Sequence, residues 1–135
     1  MRLITTMVAL ILLAIPAKGN SSNARLKAFD ETCAIMRINC AGINKPIVIY
    51  TNLMGEFRLW GAYVHGEPFL FIDPDAPVDT YVHELTHYLL WEVGLFRKDR
   101  CMSEEMARRV AAIWMGEAYE DDWRRQYRCT KANQT

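Results

Sequence analysis

Residues 75–94 carry helix punctuation at both ends and two histidines on one side. This segment restricts the fold more than any other in the 135-residue chain. Asp75 is the capping candidate, Pro77 falls in the first turn, and Gly94 is the natural stop. Turning about 100° per residue from Tyr81, the side chains of Val82, Leu85, Tyr88, Leu89 and Val93 gather on one broad apolar face. His83 and His87 fall at about 200° and 240°, and Glu84 at about 300°, all outside that face. Such a helix must press its back into a core and turn His83, Glu84 and His87 toward a cleft. The remaining elements have to supply both.

Residues 22–38 repeat Leu26, Phe29, Cys33 and Met36 at three- and four-residue steps, which predicts an amphipathic helix capped by Ser21 or Ser22. Ile47–Tyr50 is a β-branched run after Pro46 and predicts a buried strand. Residues 60–64 and Phe69–Ile72 predict two more short strands, joined by His65-Gly66-Glu67-Pro68. Pro68 opens the last of these, where a missing N–H is tolerated, so Phe69–Ile72 is expected at a sheet edge. A final helix is expected over residues 102–127. Its Glu120–Arg124 and Asp121–Arg125 pairs have the favourable i,i+4 order and read as a solvated face. Helix, three strands, helix, helix describes a small α+β domain with a mixed sheet.

The chain begins with Met1-Arg2, an apolar run over residues 3–15, and the small residues of Pro16-Ala17-Lys18-Gly19. Such a run falls short of the ~20 helical residues that a bilayer requires. It suits a signal peptide over residues 1–19, leaving residues 20–135 as one domain of a secreted or periplasmic protein with no stable membrane association. Four cysteines remain, and an even number in an exported chain points to two disulfides among three connectivities. Cys33–Cys40 and Cys101–Cys129 are favoured because each pair brackets one helix-and-turn segment. Loop closure assigns them about 2.5 and about 3.6 kcal/mol. A zinc site built from the four cysteines is disfavoured, since no Cys-x-x-Cys spacing occurs. Sixteen basic residues balance sixteen acidic ones, and no basic–aromatic strip suggests nucleic acid as a partner.

The chemistry lies in His83-Glu84-Leu85-Thr86-His87. Two histidines four apart on a helix project from one side, so both imidazoles reach a single zinc ion. Glu84 lies beside them, placed to take a proton from water. Two of the chain's three histidines fall in this pattern, and a chance match anywhere has a probability of about 0.4% under independent composition. A third ligand can come from Glu104 or Glu105, brought back beside His87 by the short connector after Gly94. Ser103 and the two acids also suit a plain helix start.

His-Glu-Leu-Thr-His followed by Ser103-Glu104-Glu105-Met106-Ala107-Arg108-Arg109-Val110-Ala111 resembles the gluzincin metallopeptidases in a minimal single-domain form. The resemblance covers residues 46–114. It implies a zincin-like fold, one zinc ion per chain and hydrolysis of peptide bonds in a peptide or protein substrate. The ligands would be His83, His87 and Glu104, with Glu84 as general base, and Ala107 matches the small residue three positions after the ligand. Phe69–Ile72 falls where the family keeps its substrate-holding edge strand. Many relatives carry Asp or Asn four residues after the ligand, where this chain has Arg108. A backbone carbonyl or Asp79 would then have to orient His83 or His87.

On the helical wheel Glu104 borders the buried face of Met106, Ala107, Val110 and Trp114, whereas Glu105 is expected to face solvent. His65, Tyr88 and Tyr119 are candidates for stabilising an oxyanion. The rival from another class is a non-catalytic, zinc-stabilised binding or latent inhibitory module.

Overall fold

The computed structural model describes residues 22–130; the expected signal peptide, residues 1–19, lies outside the described residues. Helix α1 spans Ser22–Met36, strand β1 Ile47–Tyr50 and a one-turn helix α2 Leu53–Glu56. Strands β2 (Gly61–Tyr63) and β3 (Phe69–Ile72) follow, then helices α3 (Thr80–Glu92), α4 (Arg100–Met115) and the short α5 (Trp123–Gln126). The class is α+β with one small mixed sheet. Both expected disulfides form, Cys33–Cys40 and Cys101–Cys129, with Cα atoms 6.2 and 5.7 Å apart.

The sheet order is β1-β3-β2. β1 runs parallel to β3, pairing Ile47 with Phe69, and β2 runs antiparallel to it, pairing Gly61 with Ile72. Phe69–Ile72 is therefore the central strand, and its expected edge position is wrong. Pro68 stands one residue before the strand, so its missing N–H lies outside the ladder. Its carbonyl still accepts from Ile47 N at 2.7 Å. The alternation along β3 buries Leu70 and Ile72.

α3 crosses the sheet with the apolar face that the wheel describes. Val82, Leu85 and Leu89 have no exposed surface and pack with Phe29 of α1, Ile72 of β3 and Val110 of α4. Truncating such a leucine to alanine costs about 2–5 kcal/mol. The helix begins at Thr80, later than Asp75 implies, and Asp75 does not cap it. Pro74 and Pro77 keep this stretch in turns, and Asp73 Oδ1 accepts from Asp75 N at 2.8 Å. Gly94, with φ 75°, ends the helix as expected. Arg97 then places Nε and Nη2 at 3.0 and 2.7 Å from the Trp91 carbonyl at the negative helix end.

The C-terminal part differs most from expectation. α4 opens on Asp99, whose carboxylate accepts from Met102 N at 3.0 Å. It stops at Gly116, which takes a left-handed φ of 71°, so no continuous helix reaches Tyr127. The chain turns back instead, and Cys129 is tied to Cys101 in the first turn of α4. Arg124 is buried, with Nη2 2.6 Å from Glu105 Oε1. The segment read as a solvated face is thus partly an internal corner.

Candidate metal centre

The i,i+4 spacing in α3 places His83 Nε2 and His87 Nε2 3.3 Å apart. α4 packs against α3 more extensively than any other pair of elements, and its first turns bring in Glu104. Glu104 Oε1 lies 3.4 Å from His83 Nε2, and Oε2 lies 3.1 Å from His87 Nε2. Two ligand atoms of one tetrahedral ion with bonds of ~2.0–2.1 Å lie ~3.3–3.4 Å apart, which is the spacing of the two imidazole nitrogens, and each Glu104 oxygen approaches one of them. His83, His87 and Glu104 lie close enough to hold one metal ion.

The partners of these three side chains fix their roles. His87 Nδ1 lies 2.7 Å from Ser103 Oγ. With Nδ1–H donating to that hydroxyl, the lone pair of Nε2 faces Glu104. A backbone carbonyl or Asp79 was expected in this orienting role, but among the described residues the Asp79 carboxylate bonds neither histidine; its carbonyl accepts the helix N–H of His83. Ser103, read from sequence as a helix-start residue, does the work instead. The guanidinium of Arg108 donates from Nε to Glu104 Oε1 at 2.7 Å and packs over the rings of Trp123 and Tyr127. It holds the same carboxylate oxygen that lies nearest His83. Burial alone would push the Glu104 carboxyl up, but hydrogen bonds and charge from His83 and His87 hold it far below the ordinary carboxylate range.

Glu105 takes no part in the cluster and does not face open solvent. It is half-buried, with Oε1 2.6 Å from Arg124 Nη2 and 3.1 Å from Arg109 Nη2. Arg124 comes from the corner that the long-helix reading hid, which is why the wheel misplaced this side chain.

Glu84 is buried beneath β2. A Cβ on Gly61 would fall 2.8 Å from Thr80 Cγ2 and 2.9 Å from Glu84 Cγ, so only glycine lets the strand sit this close to α3. Burial pushes the Glu84 carboxyl up to about 7; His87 and Arg108 pull it down, and the Glu104 charge pushes it further up. The group is therefore suited to exchange a proton near neutral pH.

Two clefts meet the histidines. The first, about 410 Å³, has Trp60, Gly61, His83, Glu84, Arg108 and Tyr127 in its lining, together with Arg58 and Asp79. The second, about 290 Å³, is lined by His65, His87, Trp91 and the run Arg97, Lys98 and Arg100. β2 links the two, with Trp60 before it in the first cleft and His65 after it in the second. Of the three candidate oxyanion stabilisers, only His65 adjoins the site, stacked 4.9 Å from the Trp91 ring. Tyr88 donates to Asn44 O within the core, and Tyr119 accepts from Trp123 Nε1. Tyr127 lines the first cleft and was missed because the long-helix reading left it at a helix end. Comparison with protein-family models, with curated proteins and with solved structures gave no match for the chain.

Proposed function

We propose that this chain is an exported, zinc-dependent peptidase of the gluzincin kind, with a zincin-like fold, acting in a secreted or periplasmic setting. The observation that carries the reading is the convergence of His83, His87 and Glu104, close enough to hold one ion, beside the buried Glu84. Two disulfides suit an oxidising, extracellular environment. Three protein donors among the described residues would leave a fourth position for water or substrate, as catalytic sites do, whereas purely structural zinc is closed by four. That opening and its two clefts favour catalysis over the non-catalytic, zinc-stabilised module.

A zinc ion held by His83, His87 and Glu104 would supply Lewis acidity to a scissile carbonyl and make a water easier to deprotonate. Glu84 accepts the water proton and returns it to the departing amine, a role suited to a carboxyl whose burial strengthens its hold on a proton. Ser103 holds the His87 ring, and Arg108 holds Glu104. Among the described residues the Nη groups of Arg108 have no protein acceptor, and the side chain lines the first cleft beside His83 and Glu84. It therefore offers a cation to an oxyanion developing there. An extended peptide would add to the free edge of β2 rather than to Phe69–Ile72, whose main chain is paired on both sides.

The test is Glu84→Gln. The variant keeps about one zinc per chain and loses about a hundredfold or more of peptide turnover. Equal turnover in parent and variant would remove Glu84 as the base.

A further inference from the structure

The second cleft differs from the first in charge. Arg97, Lys98 and Arg100 line it, and its only carboxylate is the metal-binding candidate Glu104. Asp99, between these cations in sequence, turns its carboxylate to the first turn of α4 and is spent as a cap. None of the three cations is ion-paired within the described residues, whereas Arg108, Arg109 and Arg124 all hold carboxylates. Arg97 stacks on Trp91 and Arg100 on Tyr127, which leaves positive charge displayed on rigid aromatic supports. The whole chain has no net charge, so this is a local concentration and not a general basicity.

Resting on the peptidase reading, we infer that the cleft formed by Lys98, Arg100 and His65 binds acidic side chains, so that the substrates are peptides with Asp or Glu next to the scissile bond on the His87 side. The cleft shares His87 and Glu104 with the metal centre, which places its occupant within about two residues of that bond, at ~3.3 Å per residue of extended chain. Lys98 and Arg100 supply the charge. Arg97, already bound to the end of α3, frames the cleft. Exposed pairs of this kind give about a tenfold preference for acidic over neutral side chains, falling with salt.

The experiment uses an equimolar random octapeptide library in two arms. Zinc-loaded parent protein digests it, and the residues flanking each cut are read by mass spectrometry. Zinc-loaded Glu84→Gln protein captures it without turnover. Both arms should enrich Asp and Glu about tenfold at one flanking position, less at 300 mM salt, and Lys98→Glu/Arg100→Glu should reverse the preference towards Lys and Arg. A normal melting temperature shows that this variant is folded. Cuts with no acidic enrichment would overturn the inference and leave the peptidase reading standing. Acidic peptides captured but never cut by the parent would overturn the peptidase reading and leave the acidic cleft. An oligonucleotide of equal charge held as tightly as the acidic peptides would overturn the assignment of a peptide ligand.

Discussion

Glu104 and Glu105 are neighbours on one helix, both removed from open solvent and both held by arginine, yet they build different things. Glu104 faces α3, where two imidazoles offer lone pairs and the single Arg108 leaves part of the carboxylate free. Glu105 faces the α5 corner, where Arg109 and Arg124 converge on one oxygen. The first region gathers possible metal ligands at one point; the second neutralises its charge within the protein. A carboxylate in a metal centre is thus identified by lone-pair-bearing partners converging on it, and burial alone does not separate it from a structural ion pair.

The largest expected effect comes from breaking the first region. Glu104→Ala removes one of three protein donors and should lose zinc under dialysis, together with all peptide cleavage; elemental analysis reads this directly. Ser103→Ala frees the His87 ring and should weaken zinc about 10–100-fold in a competitive chelator titration. Gly61→Ala forces β2 away from Thr80 and Glu84, with a stability loss of about 1–3 kcal/mol in denaturant unfolding and slower turnover at full zinc content. Glu105→Ala has the smallest effect on the metal. It should keep zinc within about threefold of the parent and lower the melting temperature by several degrees, because it leaves the buried Arg124 with only the more distant, exposed Asp121 carboxylate at 4.0 Å. Loss of zinc in Glu105→Ala, with retention in Glu104→Ala, would reverse the comparison.

The metal side of that comparison was legible in the sequence because it depends on local rules. Helical spacing fixes His83 relative to His87, an apolar back face fixes the orientation of α3, and Gly94 with a short connector returns α4 beside it. The other side depended on one unread signal. Gly116 provides a left-handed stop, but the i,i+4 charge pairs around residues 120–125 resemble helix so closely that they carried the helix past it. Everything downstream followed: the place of Arg124, the environment of Glu105, and Tyr127 at the cleft.

The sheet shows the same limit. Pro68 excludes a donor only at its own position, one residue before the strand, where its carbonyl still accepts from Ile47 N, so it says nothing about whether β3 has one neighbour or two. Ser103 was visible but ambiguous, since a hydroxyl at a helix start suits both a cap and a histidine partner. Asp99 takes the cap, which frees Ser103 for His87.

The most direct test is a zinc titration of chelator-stripped protein, with cleavage of a peptide library followed at each addition. Cleavage is absent at the start, rises in proportion to added zinc, and saturates at one ion per chain. Full cleavage by the stripped protein, or none at any zinc concentration although the ion binds, would contradict the assignment of a zinc peptidase.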